Sequence, residues 1–413
     1  MALKSSLWHN RDFLLLWSGQ TLSSVGTAVS LLAFPLLILA VTRSPAQAGF
    51  ISAMRSLTYL LFVLPAGALV DRWDRKRVMV VCDAGRLLSM ASIFFIGISG
   101  RLTIEVLYIT GFLDALLGTF FSIAEVSCLP QIVDRAQLPS AMGRTQATTG
   151  IMNLVGSPLG GLLFSIQMFL PFLADAASYL ASLVSLLFMR VQFQEQREAI
   201  DQHLFKDIAE GLHWLWKQPI LRAMALVTSG NVFFGAGQTL IVIIIAQSHH
   251  ASSEKIGIIL SIGGIGGIIG SMVAAKVQQR VRFAVVILGV LWLDALLWIP
   301  LISLPSLLLL GCTVGTTYFL SPIYNIVNMG YRFKLTPDAM RGRVNSVSRL
   351  ISNGLAPLGL TLTGLLLQYY GAQVTIMFAV GGQLLLAFCA MTSSSIRYAH
   401  VLDLSHRHSA SPD

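Results

Sequence analysis

The sequence predicts an all-α membrane protein, with twelve transmembrane helices in two pseudo-symmetric six-helix bundles. Three observations lead there. Apolar runs recur at about the twenty-residue length needed to cross a hydrocarbon core about 30 Å thick at 1.5 Å per residue. The 413 residues are 55% hydrophobic and only 11% charged, with a mean hydropathy of +0.73. Soluble domains carry about 25% charged residues, so a soluble core of this size would lack polar cover. Finally, the basic residues are confined to alternate loops.

The expected spans are residues 14–41, 48–70, 78–99, 104–126, 143–165, 168–189, 222–246, 255–276, 282–303, 305–328, 342–367 and 373–392. The narrow breaks near 166 and 304 rest on Pro171, Pro300 and Pro305. If the count is twelve, segments 1–13, 71–77, 127–142, 190–221, 277–281, 329–341 and 393–413 share one side. With their flanks they hold 22 of the 28 Lys and Arg, against three in the opposite loops: Arg43, Arg101 and Lys255. This asymmetry predicts cytoplasmic termini and a cytoplasmic 190–221 loop; the expected location is a bacterial-type inner membrane. The asymmetry also accounts for the net charge of +9 without nucleic acid. The first span reads as a retained helix, not a signal peptide.

The chain divides into residues 1–189, a linker 190–221, residues 222–392 and a polar tail 393–413. In the linker, Leu204, Ile208, Leu212 and Leu215 follow a helical period among mixed charges, which predicts an amphipathic helix along the membrane surface. The halves repeat. At an offset of 199, Gly143-Arg144 falls on Gly342-Arg343 and Pro158-Leu159-Gly160 on Pro357-Leu358-Gly359; at 211, Ser18-Gly19-Gln20 falls on Ser229-Gly230-Asn231. Such duplicated halves are the usual plan of secondary transporters, with a midplane site.

Other chemistries find no support. Cys82, Cys128, Cys312 and Cys389 are scattered singly, which excludes a disulfide framework and a CxxC metal site. There is no Walker lysine motif for ATP and no catalytic triad, so neither an enzyme nor a cofactor is expected. GGIGGIIG at 263–270 is interleaved GxxxG, a helix-packing face.

The segment GALVDRWDRKR, residues 67–77, places six charges between two apolar runs. As charge alone it is a topology signal. As a motif it resembles the G-x-x-x-D-R-x-G-R-[RK]-[RK] signature of the major facilitator superfamily, supplied here by Gly67, Asp71, Arg72, Arg75, Lys76 and Arg77, with Asp74 in place of the second glycine. The DRWDRKR form is similar to the branch holding macrolide and other drug exporters, siderophore exporters and lysophospholipid transporters. The resemblance implies a hairpin gate that packs on span 11 when the transporter is open outward, through Asp71. Gly67, lacking a side chain, would let a neighbouring helix approach. In span 5, Gly150, Gly156, Pro158 and Gly161 partly match the G-P-x-x-G-G exporter signature; an ordinary packing helix reads equally well. The arginine that proton-coupled members carry in span 4 is absent, and Asp114 stands near its place.

Charges within spans cost several kcal/mol and need a reason. The candidates for proton or substrate contact are Asp114, Asp175, Asp294, Arg55, Arg349 and Glu125, the alternative being static ion pairs or backbone bonds. Asp83 and Arg86, three apart, read as a local pair. The polar candidates for a cavity are Gln20, Ser24 and Thr27 on span 1, Asn231 and Gln238 on span 7, and Tyr324, Asn325 and Asn328 on span 10; interhelical hydrogen bonds are the alternative. The resulting expectation is a monomeric secondary transporter that exports a small apolar or amphipathic molecule in exchange for protons. A membrane enzyme or receptor-like scaffold is the contrasting class.

Overall fold

The computed structural model describes residues 7, 10–134, 137–190, 204–304 and 306–397, and every regular element among them is helical. Six helices come first: α1 (Arg11–Thr42), α2 (Pro45–Val70), α3 (Arg75–Ile98), α4 (Ile104–Ile132), α5 (Leu138–Ile166) and α6 (Leu170–Phe188). The linker helix is α7 (Leu204–Lys217). There follow α8 (Pro219–Gly235), α9 (Gln238–Ser248), α10 (Ser253–Arg280), α11 (Phe283–Trp298), α12 (Pro300–Ser303), α13 (Leu307–Leu335), α14 (Arg341–Gly354), α15 (Ala356–Thr392) and α16 (Ser394–Arg397).

Helix ends sit where the sequence supplies partners for otherwise unpaired N–H groups. Asn10 caps α1 by accepting from the Phe13 amide at 3.1 Å, and Ser44 caps α2 just before Pro45. Proline divides some spans without ending them. The ninth crossing is α11 plus α12, offset at Pro300; the seventh is α8 plus α9, divided at Ala236 and Gly237 without a proline. Pro171 lies in the first turn of α6, while Pro305 falls outside the described residues.

Eleven stretches are long and apolar enough to cross a bilayer, but the last, Arg341–Thr392, has 52 residues. That is about 78 Å of helix for a core about 30 Å thick. Gly371 interrupts it with φ 77° and ψ 179°. Only glycine adopts such a backbone without strain, so α15 comprises the end of one crossing and the whole of the next, and the crossings number twelve. Their outer faces expose large apolar side chains such as Leu88, Val81 and Leu308, as contact with lipid requires.

The chain forms two units: Met1–Ile200 with His250–Ser261, and Asp201–His249 with Ile262–Asp413. In the first, α1 packs on α5 and α6, α6 on α3, α3 on α4, and α4 on α2. The start of α10 belongs here, its Gly257 lying against Ser157 and Pro158 of α5. In the second unit α15 packs on α8, α9 and α11, and α11 on α13. The glycine face of α10 is a packing face: Gly263, Gly266 and Gly270 lie directly on α13. The linker helix α7 packs on α14, with Leu215 fully buried and Glu210 bonded to Arg343 at 2.7 Å. The expected surface helix is therefore also a tertiary contact. Residues 191–203 of the linker and the tail beyond 397 lie outside the described residues.

Candidate functional site

Asp114 of α4 is buried at the meeting point of the first unit's helices. Its Oδ2 accepts from Arg55 Nη2 of α2 at 2.7 Å, and its Oδ1 from Arg86 Nε of α3 at 3.0 Å. The Tyr179 hydroxyl of α6 stands 3.4 Å from Oδ1 and 3.0 Å from Thr27 of α1. Both guanidiniums also lie over rings, Arg86 4.2 Å from the Tyr179 centroid and Arg55 4.8 Å from Phe34. Delocalised guanidinium favours this pairing of carboxylate and ring face away from water. Both cations thus pair with one carboxylate. Arg55 neutralises an aspartate. Arg86 turns to Asp114 on the neighbouring helix and does not form the expected local pair with Asp83. The physical reason is that α3 packs directly on α4, so a lateral partner is within reach and satisfies a carboxylate otherwise stranded in the bilayer.

Asp175 of α6 sits one turn before Tyr179 and is held differently. It accepts from Ser30 of α1 and from Ser178 Oγ at 3.3 Å. Gly26 makes this possible, since a Cβ there would overlap Asp175 and Ser178.

Beside this network the first unit has an open cavity of about 420 Å³ among α1, α4 and α5. Small-molecule sites occupy this size range. Its wall is largely apolar, with Phe13, Leu16, Trp17, Val126, Leu129 and Met142, and its polar groups are Gln20, Thr21, Ser24, Thr145, Thr148 and one carboxylate, Glu125. Of the predicted positions, Gln20, Ser24 and Glu125 meet here, while Thr27 belongs to the Asp114 network. Thr21, Thr145 and Thr148 were missed. The three-residue spacing of the α5 threonines was the available signal. Asp83 of α3 is fully buried, with neither carboxylate oxygen in a hydrogen bond of ordinary geometry.

The second unit uses neutral partners. Asp294 of α11 accepts from Thr317 Oγ1 at 2.8 Å, with Gln238 beside it. Gln238, Asp294 and Gln383 border a void of about 10 Å³. Gln383 donates to Asn231 at 2.9 Å, Tyr324 bonds Thr228 at 3.0 Å, and Asn328 donates to Thr228 at 3.2 Å. Asn325 reaches only Ser321, at 3.5 Å on an exposed face. Arg349 is exposed on α14, within the apolar stretch Arg341–Thr392. Thr228, Thr317 and Gln383 were not singled out by sequence.

The basic loop is a capped turn. Asp74 caps α3, accepting from the amides of Lys76 at 2.9 Å and Arg77 at 3.4 Å. An aspartate is favourable at that helix start and glycine offers no such acceptor, which gives the departure from the family pattern a local cause. Lys76 Nζ donates to the Met189 carbonyl at the end of α6, 2.6 Å away. Asp71 faces Arg75 one turn on, at 3.8 Å, while Arg72 and Arg77 are exposed. Gly67 has open space where a Cβ would stand, and none of the described residues presses on it. Close approach occurs instead in α5. A Cβ at Gly156 or Gly160 would overlap α1 at Ala28 or Val29, and one at Gly161 would overlap Ser253; Gly150 has no such neighbour. Pro158 lies inside this tightly packed stretch.

Comparison with known proteins agrees with this architecture. The family model described as Major Facilitator Superfamily matches residues 16–359. The chain belongs to that superfamily. It is a multi-pass membrane transporter and not an enzyme. Among its relatives in the superfamily, "Multidrug efflux pump Tap" of Mycolicibacterium fortuitum is 27% identical over 93% of this chain and 96% of that one. "Enterobactin exporter EntS" of Escherichia coli O1:K1 / APEC is 22% identical over 76% and 75%. A crystal structure of a variant of the nucleoside transporter NupG superposes with a TM-score of 0.77 at 13% identity, covering 92% of this chain and 99% of that one, a likeness of fold.

Proposed function

We propose that this transporter exports a small apolar or amphipathic molecule, of drug or macrolide type, across a bacterial inner membrane in exchange for protons. The observation that carries the reading is the cavity of about 420 Å³ in the first unit, apolar-walled with a few hydroxyls, an amide and one carboxylate. That composition suits an amphipathic guest better than a sugar or nucleoside, which would need a denser polar lining. The two exporter relatives support the outward direction. The loop bias of Lys and Arg supports cytoplasmic termini. The halves 1–189 and 222–392 would exchange access by rocking, with the Asp71 loop as a gate.

Inverted vesicles holding the protein test this. With the lumen acidified, they accumulate a fluorescent drug such as ethidium; collapse of the pH gradient abolishes the uptake, and Asp71→Asn slows it. Uptake indifferent to the gradient would rule out antiport. Siderophore export is a second reading, favoured by the EntS relative. It predicts gradient-driven uptake of a ferric-free catecholate in place of ethidium.

A further inference from the structure

Among the described residues, Asp294 is the only carboxylate inside a span of the second unit, and no Lys or Arg pairs with it. Its Oδ1 accepts from Thr317 Oγ1 of α13 at 2.8 Å. Two further crossings bring amides to it. The break of the seventh crossing at Ala236 and Gly237 sets Gln238 in the first turn of α9, beside the carboxylate. The last crossing contributes Gln383 of α15, which borders the same void of about 10 Å³. The Gln383 amide is oriented by Asn231: its Nε2 donates to Asn231 Oδ1 at 2.9 Å, which leaves Oε1 as an acceptor. That oxygen is buried and has no partner, on a residue only 4% exposed. The remaining wall is apolar, at Phe234, Ile241, Ile376 and Val380, apart from Trp298, whose indole N–H is likewise buried without a partner.

We propose that this void in the second unit is a binding site for one sodium ion, held by the carboxylate of Asp294 and the amide oxygens of Gln383 and Gln238. The site is separate from the cavity of the first unit and does not depend on the exporter reading. A carboxylate within a span needs a compensating charge. A monovalent cation balances Asp294 one to one, whereas a divalent ion would leave a surplus charge in the bilayer. Carboxylate and amide oxygens are hard ligands that suit such an ion. No cluster of three His, Cys, Asp or Glu that could hold a transition metal occurs among the described residues. A void of about 10 Å³ takes one water-sized occupant, while potassium sites surround the ion with rings of carbonyls that this wall lacks. Trp298 offers a donor and takes no part in holding a cation. The competing occupant is one water beside a protonated Asp294, and it leaves the protein indifferent to sodium. A bound sodium ion ties α9, α11 and α15 together beside the break in the seventh crossing. A break of that kind is tolerated in a membrane only where the freed backbone is buried in protein or lines a cavity.

The test melts the purified full-length protein in detergent, first in choline chloride and then with choline replaced stepwise by sodium or by potassium at constant ionic strength. Expected for the wild type is a saturable rise in Tm of about 3 °C or more with sodium, which potassium does not reproduce. Equilibrium dialysis against radioactive sodium then finds one ion per chain. Asp294→Asn melts close to the wild type in choline chloride and no longer responds to sodium. Gln383→Leu raises the sodium concentration needed for half of the rise about tenfold or more. If Asp294→Asn fails to fold, the wild type and Gln383→Leu still decide. A wild type that melts alike in sodium and potassium overturns the site and gives the void to water. A sodium response that survives Asp294→Asn overturns it too, because the ion then sits elsewhere, and so does an unchanged midpoint in Gln383→Leu.

Discussion

In the first unit Gly160 of α5 meets the backbone of α1 at Val29; in the second, its repeat counterpart Gly359 of α15 meets the backbone of α8 at Phe233. Gly19 packs against α6 at Ser185, and its counterpart Gly230 against the last crossing at Leu386. Even one polar contact is repeated: Gln20 bonds Ser182 of α6, and Asn231 bonds Gln383 of the last crossing. The charges are not repeated. The first unit holds Asp114 between two guanidiniums, whereas the second holds Asp294 with a threonine hydroxyl and an amide. The comparison separates two kinds of constraint. Small residues at helix crossings are set by geometry that both halves need. Buried charge is set by what one half does, and it has diverged.

The sharpest way to break this comparison is to remove a cation from the first unit. Arg86→Met leaves Asp114 buried with one guanidinium and takes the cation from the Tyr179 ring. Loss of one partner of a buried pair costs about 3–5 kcal/mol, so unfolding in detergent should begin at markedly lower denaturant. Adding Asp114→Asn removes the stranded charge and should recover much of the loss. If Arg86→Met proves as mild as a neutral-partner deletion in the second unit, the charge network is not what holds these helices together.

The sequence made the crossings legible because hydropathy and the Lys and Arg bias are long-range, additive signals, and Pro300 misled only about where a crossing bends. The turn at Gly371 was visible as a break between apolar runs at 367 and 373. The interior was less legible. Arg55, Arg86 and Asp114 were each conspicuous as charges, yet their pairing spans three helices, and sequence spacing favoured the local Asp83–Arg86 pair. Spacing carries intrahelical neighbours; it says nothing of which helix lies alongside. Hydroxyls such as Thr228 and Thr317 went unnoticed because a threonine in a span usually bonds its own helix, and only the packing of α13 against α11 turns Thr317 toward Asp294.

The second unit supplies the smaller effects. Thr317→Val removes a neutral donor from Asp294, and hydrogen bonds between membrane helices are worth about 0.6–2 kcal/mol; the loss should fall in that range, well below that of Arg86→Met. Asp294→Asn should be smaller still, within about 1 kcal/mol of the wild type. An asparagine keeps a carbonyl oxygen for Thr317. It also brings an N–H₂ group into the void where the Gln383 Oε1 has no partner. The same substitution at Asp114 would leave two guanidiniums facing a neutral amide. Unfolding curves of Asp294→Asn and Asp114→Asn measured side by side therefore test the contrast directly. A loss at Asp294 as large as that at Asp114 would mean that the second unit also depends on a charged carboxylate, and that the two halves are alike in chemistry as well as in packing.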